Sequence, residues 1–591
     1  MCGLVAVVGR EANAVARVDA ALDAIAHRGP DGRGTWRGDG IALGHVRLAV
    51  TDPSGGAQPI ENEDGSIVAI VNGELYDAER EARWLVARGH VLRSRCDSEL
   101  LVHLYEELGD DVVGRLRGEL AFVLWDARRR RLLAGRDRFG VKPLVWARWR
   151  DGLALASEAK GLFALGVPAR WDHEMFAHAA HVQYPWPDRT LFAGVQQLEP
   201  GSVLTWDGEL RTRRYWDPPF GIASDRDLRE TLADAVRVRV RADARVCVQL
   251  SGGLDSTAVA ALSGVRDAFT VGFADGGAYD ERPIVRETAR VLGLDLREVV
   301  VDGAAIAAHW PAAVAHGEGL AINGHLVGKW LLSRAMREAG FKVALTGEGA
   351  DELFAGYPHL RADAGIAVEQ LPSRGVMLPV GDGIATESVR ARLGYVPMWI
   401  AAKASLALRV RSLLAPELHV ADPFGALLER LGRVPPARLH ASTATWMRTA
   451  LAQYILRTLG DGMEMAHGIA GRVPFLDHHV AEAALAIDPA TLVGTGLDKP
   501  ALRAAVADLV PVHVLGRPKH PFLAPPLSRL APELVQDTLR THARVSPLVD
   551  RARLFAILDA LPQMSEADQQ AWDPALMLIL SAAILQTRYA T

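Results

Sequence analysis

Strand-like and helical segments alternate between residues 246 and 345, and this alternation constrains the fold more than any other feature. A short apolar run at 246–250 precedes a helical pattern, the succession repeats from 269–273, and it ends at 343–345. Neighbouring parallel strands need a crossover between them, so the alternation predicts βαβ units and a parallel sheet. Beyond about residue 390, helical patterns with Pro-rich breaks dominate. We therefore expect an α/β domain with a parallel sheet and a helical C-terminal part.

The preceding part of the chain is rich in strand patterns. The apolar run 67–71 is typical of a strand, and we expect Asn72-Gly73 to end it. A Pro-containing stretch at 215–219 then breaks the pattern. Single cores stop growing near ~250–300 residues, so a chain of 591 residues needs more than one domain. The predicted domains are residues 1–215 and 231–591.

Composition and charge exclude several classes of function. The net charge is −5, whereas a polyanion-binding protein shows a basic excess, so we expect no nucleic-acid partner. No apolar run reaches the ~18 residues that span a bilayer, so we expect no membrane partner. Three cysteines, Cys2, Cys96 and Cys247, cannot form a disulfide framework, which favours a reducing compartment. The chain also lacks the basic start of a signal peptide, so we expect a cytoplasmic protein, with a homodimer left open.

The second residue is a candidate nucleophile. If the initiator methionine is removed, Cys2 carries both a thiol and a free α-amine whose pKa lies near ~7.7–8.0. One residue then supplies nucleophile and base, as N-terminal threonine nucleophiles do. A cysteine on its own is more often a small buried hydrophobic residue, so Cys2 needs support from its surroundings.

That support comes from further motifs that follow Cys2 in order. They are HRGPDG at 27–32, GHVRL at 44–48, VNGELY at 71–76, CDSE at 96–99 and RDRFGVKPL at 136–144. Together they resemble the class II glutamine amidotransferase domain from residue 2 to about residue 165. The resemblance implies an αββα N-terminal-nucleophile fold that hydrolyses glutamine to glutamate and ammonia.

The resemblance also assigns roles within this glutaminase domain. Cys2 would attack the carboxamide, and Asn72 and the Gly73 N–H would form the oxyanion hole. Arg47 would bind the substrate carboxylate through its guanidinium fork, and Asp97, helped by Glu74, would bind the ammonium. The full glutamine-binding set is Arg47, Leu48, Val50, Asn72, Glu74 and Asp97. A surface ion pair is the alternative for Arg47 and Asp97.

A glycine-rich loop, Ser251 to Ser256, marks a second site. It follows a predicted strand and opens a helix, where free N–H groups attract phosphate. It matches neither Walker A nor the dinucleotide fingerprint, so a plain turn is the alternative. Asp255 inside the loop would repel phosphate unless Mg²⁺ lies between them, which favours a nucleotide–metal site.

The loop resembles the PP-loop of ATP pyrophosphatases. Further signatures are LTGEGADELF at 345–354, GRVPFLD at 471–477, DKPALR at 498–503 and RPK at 517–519. In this order, after a class II glutaminase domain, they resemble the glutamine-hydrolysing asparagine synthetase family over essentially the whole chain. The resemblance implies that ATP adenylates a substrate carboxylate, that pyrophosphate leaves, and that ammonia arriving through a tunnel displaces AMP to give an amide.

The implied cofactors are ATP and Mg²⁺. Asp255 and Asp351 would bind the metal, Glu348 would accept a proton from ammonia, and Lys499 and Lys519 would stabilise phosphate charge. Helix capping or a salt bridge is the alternative for each charged group. The ATP-binding set is Leu250, Ser251, Gly252, Gly253, Asp255, Ser256, Val271, Thr346 and Gly347.

Two positions depart from the family pattern near the acceptor. Gly462 stands where Arg is usual, and Ala470 stands where Glu is usual. Aspartate needs fixed opposite charges, so the acceptor stays open between aspartate and a less polar carboxylic acid of a natural-product pathway. A β-lactam or lasso-peptide-type cyclase is the rival interpretation. Such cyclases typically lose the glutaminase cysteine, and Cys2 is present.

Overall fold

The computed structural model describes residues 2–9, 17–367, 383–494, 496–520, 522 and 524–589. The strands of the N-terminal part are β1 Cys2–Val8, β2 Gly32–Gly38, β3 Ile41–Arg47, β4 Ile60–Glu61, β5 Ile67–Leu75, β6 Gly118–Asp126, β7 Arg131–Arg136, β8 Val145–Trp149, β9 Gly152–Ala156, β10 Val195–Gln197, β11 Ser202–Trp206 and β12 Leu210–Arg214. The helices of this part are α1 Val18–Ala24, α2 Ala78–Val86, α3 Leu100–Leu108, α4 Val112–Arg115, α5 Ala159–Leu165 and α6 His173–Val182.

These strands form two antiparallel sheets, each six-stranded within the described residues. Their orders are β10-β8-β9-β1-β3-β2 and β12-β11-β7-β6-β5-β4. Alternate residues of β1 serve two faces, as the two-residue period of a strand requires. Leu4 packs towards Ile70 of the second sheet, whereas Val5 packs towards Leu22 of α1. Helices α2 and α3 cover the other face of the second sheet, so the predicted αββα arrangement is confirmed.

The prediction that Asn72-Gly73 ends a strand is wrong. Strand β5 continues to Leu75, and Gly73 remains paired with Leu120 of β6. Gly73 has φ +137°, and a Cβ there would lie 2.0 Å from the Glu119 carbonyl oxygen. The glycine therefore permits a close approach inside the sheet, where the sequence pattern suggests a turn.

The C-terminal part contains the predicted parallel sheet. Its strands are β13 Val246–Gln249, β14 Asp267–Phe273, β15 Asp295–Val301, β16 Val343–Leu345 and β17 Ala470–Arg472, in the order β15-β14-β13-β16-β17. Every adjacent pair is parallel. The order reverses at β13, and ligands of open parallel sheets bind at the carboxyl ends of the strands beside such a switch point.

The helices of this part surround the sheet and form a helical region towards the C-terminus. They are α7 Leu228–Val240, α8 Leu254–Ser263, α9 Arg282–Leu292, α10 Gly303–Gly317, α11 His325–Glu338, α12 Ala350–Leu353, α13 Pro358–Asp363, α14 Glu387–Leu393, α15 Met398–Leu413, α16 Pro423–Leu431, α17 Arg438–Trp446, a π-helix Met447–Asp461, α18 Gly462–Met465, α19 His478–Leu485, α20 Pro489–Val493, α21 Pro500–Ala505, α22 Val512–Leu515, α23 Leu527–Leu530, α24 Pro532–Val545, α25 Arg551–Ala560 and α26 Glu566–Tyr589.

The change of architecture falls between β12, which ends at Arg214, and α7, which begins at Leu228. The first predicted domain range, 1–215, ends in this interval, whereas the second, 231–591, begins inside α7, and both ranges stay a prediction about independent folding units. Across the described part of the chain, no helix combines the length and the apolar character needed to cross a membrane.

Candidate functional site

The first candidate site surrounds Cys2 at the start of β1. Cys2 is 4% exposed and pairs with Arg47 of β3, while its backbone N–H donates to Asn72 Oδ1 at 3.0 Å. The Asn72 side chain is fully buried, and its Nδ2 donates no hydrogen bond to the described residues. A buried amide donor without an acceptor is costly. The arrangement therefore suits an added oxygen that carries negative charge.

The thiol of Cys2 lies in an environment that favours the thiolate. Burial alone would raise its pKa, but His45 and a backbone hydrogen bond at Leu48 lower the pKa to about 6. His45 is fully buried and its Nε2 contacts the Val71 carbonyl oxygen at 3.1 Å. Sequence reasoning assigned no role to His45. The sequence does offer one indication: His45 lies two residues before Arg47, and residues two apart on a strand share a face of the sheet.

The predicted glutamine-binding residues converge around this cysteine. Arg47 donates to the carbonyl oxygens of Thr51, Asp52 and Pro53 at 3.1, 2.6 and 2.9 Å. Asp97 accepts a hydrogen bond from the Leu75 N–H at 2.6 Å. Burial, and then the nearby Glu74 carboxylate, raise the pKa of Asp97 to about 6.

Three of the predicted glutamine-binding residues also touch the C-terminal part. Glu74 forms two 2.7 Å contacts with the Arg472 guanidinium of β17, and both side chains are buried. Leu48 and Val50 pack in one apolar cluster with Ala470 of the same strand. The predicted ammonium-binding role of Glu74 therefore competes with an ion pair between the two parts of the chain.

The second candidate site lies at the carboxyl ends of β13 and β16. The loop after β13 runs into α8, and Ser256 Oγ accepts from the Ser251 N–H at 3.1 Å. Gly252 has φ +71°, a conformation that glycine adopts without strain. A Cβ on Gly347 would lie 2.8 Å from the Ser256 N–H nitrogen, so the two loops touch through backbone. Leu250 and Thr346 are buried at the start of these loops.

Lys499 joins the two predicted metal ligands. Its Nζ lies 2.5 Å from Asp255 Oδ2 and 2.6 Å from Asp351 Oδ1, and Lys519 Nζ lies 2.6 Å from Asp351 Oδ2. Burial alone would raise the pKa of Asp351, but the two ammonium groups lower it below its ordinary value. Lys499 itself has φ +55°, an uncommon conformation for a residue with a Cβ. Strain of this kind often accompanies function.

The same carboxylates fit Mg²⁺. Two carboxylate groups within 2.6 Å of a single ammonium nitrogen converge on a point that a small cation can occupy. Oxygen ligands next to a phosphate-binding loop are the usual environment of Mg²⁺. Asp255 and Asp351 are the residues that would hold the ion.

Glu348 belongs to a chain of polar contacts that sequence reasoning missed. Lys329 Nζ lies 3.1 Å from Glu348 Oε1 and 3.1 Å from Gln249 Oε1, and Gln249 Nε2 donates to Glu464 Oε1 at 3.3 Å. Lys329 and Glu464 come from α11 and α18, far apart in sequence. Val271, a predicted ATP-binding residue, packs on α11 beside Gly328.

Two family models cover this chain. The model described as "Asparagine synthase" matches residues 227–586, and the model described as "Glutamine amidotransferase domain" matches residues 1–216. The chain belongs to the asparagine synthase family. With both domains in one polypeptide, it is a glutamine-dependent enzyme of the carbon–nitrogen ligase class, as the sequence predicts.

Relatives of this asparagine synthase family member carry two kinds of name. "Amidase chry2" of Gibberella zeae is 32% identical, covering 88% of each chain. "Putative asparagine synthetase [glutamine-hydrolyzing]" of Mycobacterium bovis is 32% identical, covering 95% of this chain and 93% of the relative. "Asparagine synthetase [glutamine-hydrolyzing] 1" of Bacillus subtilis is 28% identical, with 96% and 93% covered.

The two departures from the asparagine synthetase pattern lie around Glu464. A Cβ on Gly462 would lie 3.0 Å from the Gly317 Cα, so α18 touches α10 there through glycine. Ala470 is fully buried against apolar neighbours. A Cβ on Gly471 would lie 1.7 Å from Glu464 Oε2, so this carboxylate occupies the space above β17 that a side chain would fill. Neither departure carries a charge, and the buried Glu464 places a carboxylate beside β17.

Proposed function

We propose that this enzyme releases ammonia from glutamine at Cys2 and uses it to amidate an adenylated carboxylic acid at the ends of β13 and β16. The observation that carries the proposal is Lys499, which lies between Asp255 and Asp351 beside a phosphate-type loop. That set has no use in a plain glutaminase. It suits an enzyme that neutralises polyphosphate charge.

The glutaminase half-reaction begins with the Cys2 thiolate attacking the carboxamide carbon of glutamine. Asn72 Nδ2 and the Gly73 N–H would stabilise the oxyanion, and one such donor typically contributes ~2.7–4 kcal/mol. The carboxamide nitrogen leaves as ammonia after it takes a proton, for which the α-amine of a processed Cys2 is the candidate donor. Water then hydrolyses the thioester, giving glutamate and the free thiol.

In the synthetase half-reaction, the acceptor carboxylate attacks the α-phosphorus of ATP and pyrophosphate leaves. Ser251, Gly253 and Ser256 would bind the pyrophosphate through hydroxyl and N–H groups, and Lys499 and Lys519 would neutralise its charge. Mg²⁺, when bound, supplies charge neutralisation that favours departure of pyrophosphate. Ammonia then attacks the acyl-adenylate, Glu348 takes the proton that the nitrogen loses, and AMP departs.

We further propose that the acceptor is a carboxylic acid other than aspartate. Gly462 and Ala470 stand where the family pattern has a charged pair, and the buried Glu464 is a carboxylate close to both. One relative of 32% identity is named an amidase and not an asparagine synthetase, which fits an acceptor other than aspartate. Glu464 would repel a second acceptor carboxylate at its position, which disfavours aspartate there.

Two assays test the proposal. Pyrophosphate release is measured with ATP and glutamine against aspartate and a panel of aliphatic and aromatic monocarboxylic acids. We expect aspartate to be turned over poorly and a monocarboxylic acid to be amidated. A normal rate with aspartate alone would refute the altered acceptor and leave the two-site mechanism standing.

The second assay compares nitrogen sources in Cys2→Ala, with Cys247→Ala as the matched buried-cysteine control. Cys2→Ala is expected to lose amide formation from glutamine and to retain it with added ammonium salt. A cyclase, the rival function, would form its product equally well in both variants without any nitrogen source. The intact Cys2–Asn72 pair argues against that rival.

A further inference from the structure

Four side chains outside both sites converge at one edge of the glutaminase domain. Glu63 follows β4, His90 follows α2, and His103 and Glu106 share one face of α3. Their ligand-type atoms all lie within 4.8 Å of one another. The set contains two imidazoles and two carboxylates, which is a common ligand set for a divalent transition metal and an unusual one for a packing contact.

Three of the separations between ligand atoms are close to those of a tetrahedral site. His103 Nδ1 lies 3.2 Å from Glu63 Oε2 and 3.7 Å from Glu106 Oε2, and His90 Nδ1 lies 3.7 Å from the same Glu106 oxygen. Ligands at about 2.0–2.2 Å from a tetrahedral Zn²⁺ are about 3.3–3.6 Å from each other. A metal ion at the centre therefore needs only small side-chain adjustments.

The other nitrogen of each imidazole faces a second carboxylate. His90 Nε2 lies 3.1 Å from Glu107 Oε1, and His103 Nε2 lies 3.6 Å from Glu99 Oε1. Metal-bound histidines usually direct their second N–H at a carboxylate or carbonyl, which fixes the tautomer and orients the ring. Both histidines thus present Nδ1 to the same centre and turn Nε2 towards an outer acid.

The central member of the set lacks hydrogen bonds although it is buried. The His103 side chain is 1% exposed, and neither ring nitrogen makes a hydrogen bond within the described residues. Glu106 Oε2 is buried without one as well, while its Oε1 accepts from Asn62 Nδ2 at 2.9 Å. Carboxylate oxygens lie 3.2 and 3.7 Å from His103 Nδ1 without forming a hydrogen bond to it, so the arrangement leaves room for a cation between these groups.

We propose that Glu63, His90, His103 and Glu106 bind one Zn²⁺ ion with a structural role. Two neutral imidazoles and two carboxylates balance its charge. The site would join α3 to the segments after β4 and α2. Glu99 in turn accepts from the N–H groups of Arg93 and Ser94 at 2.5 and 2.7 Å, so the ion would also steady the loop that leads to Asp97.

The test uses the full-length protein, stripped with a chelator and then dialysed with Zn²⁺ alone. Metal content is measured by mass spectrometry, and the unfolding temperature is measured with and without Zn²⁺. We expect one tightly held ion per chain and a higher unfolding temperature with Zn²⁺. Protein that holds well under one ion and shows no rise overturns the proposal.

Variants locate the ion. His90→Gln and Glu106→Gln should abolish both effects, whereas His173→Gln, which removes an exposed histidine of α6, should leave both unchanged. Retention of the ion by His90→Gln and Glu106→Gln would overturn the assignment. Co²⁺ bound to the unaltered protein gives a second readout that needs no variant. Intense visible absorption is expected from a tetrahedral site, and the weak spectrum of octahedral Co²⁺ would count against it.

Discussion

Arg28 binds Asp461 through two hydrogen bonds of 2.8 and 3.0 Å, and its Nε–H donates to the Cys2 carbonyl oxygen at 3.0 Å. Arg28 is fully buried and also pairs with Glu158 at 2.6 Å. One side chain thus connects the backbone of the nucleophile to the residue that precedes Gly462 of the synthetase part. A shift of the helix that carries Asp461 would therefore move Arg28, which contacts the Cys2 backbone directly.

Arg28→Met is expected to destabilise the protein and to remove the contact that joins Cys2 to Asp461. Two buried carboxylates, Asp461 and Glu158, would lose their guanidinium, and breaking a buried pair costs about 3–5 kcal/mol. Urea unfolding measures this cost. Arg33→Met is the control, because Arg33 pairs with Asp19 and Asp23 near the surface, where a pair contributes about 0–1 kcal/mol. Equal losses in both variants would contradict the buried-link interpretation.

Alkylation of Cys2 should depend on pH with a midpoint near 6. The thiolate is the nucleophile, and the pKa of Cys2 is lowered to about 6, so the rate rises through pH 6 and is level above it. Cys96 should stay unreactive over this range, because burial and then Asp97 raise its pKa to about 12. The measurement is mass-resolved iodoacetamide labelling between pH 5 and 8. An unperturbed thiol titrates near ~8.5, so a labelling rate of Cys2 that still rises steeply at pH 8 would contradict the prediction.

His45→Gln should move that midpoint upward, because the imidazole is the largest influence that lowers the pKa of Cys2. His27→Gln is a suitable control, since His27 contacts Glu158 at 3.1 Å and not Cys2. An unchanged midpoint in His45→Gln would show that His45 does not stabilise the thiolate.

Lys499→Gln should slow adenylation strongly while glutamine hydrolysis continues. The ammonium lies between the Asp255 and Asp351 carboxylates, and losing one charge-stabilising donor typically lowers kcat by about 10²–10³. ATP–pyrophosphate exchange and glutaminase assays measure the two halves separately. Lys342→Gln removes a lysine that pairs with Asp31 outside this site, and it should leave exchange intact. Equal exchange in both variants would remove Lys499 from the mechanism.

Local patterns predicted the fold well. The alternation between residues 246 and 345 predicts β13, β14, β15 and β16 of the parallel sheet, because period and connection length are local properties. The fifth strand, β17 Ala470–Arg472, lies in the region where helices were expected, and the sequence pattern missed it. Asn72-Gly73 misled the strand prediction because its glycine serves a contact with Glu119, which is distant in sequence. A turn and a close approach between strands both favour glycine, so the residue type alone does not distinguish them.

The charged partners of the site could not be predicted in the same way. Glu74 and Arg472 are separated by 398 residues, and Gln249 and Glu464 by 215. No local periodicity encodes such a pair, since it depends on which strands become neighbours. Motif resemblance placed Glu74 near glutamine, but only the packing of β17 against the glutaminase domain shows that its carboxylate already has a cation.

Gly471→Ala tests whether Glu464 shapes the acceptor pocket. The added Cβ would lie 1.7 Å from Glu464 Oε2, so the carboxylate must move away from Gln249. Overpacking of this kind costs about 1–3 kcal/mol. Gly114→Ala, at an exposed helical glycine with no atom within 4 Å of the new Cβ, should instead be neutral or stabilising by up to about 1 kcal/mol.

With ammonia as the nitrogen source, the kcat/KM of Gly471→Ala for the acceptor should fall about tenfold, which corresponds to ~1.4 kcal/mol. Adding Glu464→Ala to Gly471→Ala removes the clash, so the stability should recover while the loss of acceptor specificity remains. Recovery of the unfolding free energy without recovery of acceptor specificity would show that Glu464 acts in the pocket and not only in packing. The observed geometry leaves no room for the methyl group beside the Glu464 carboxylate. If Gly471→Ala nevertheless leaves both the unfolding free energy and the acceptor kcat/KM unchanged, Glu464 does not define the pocket.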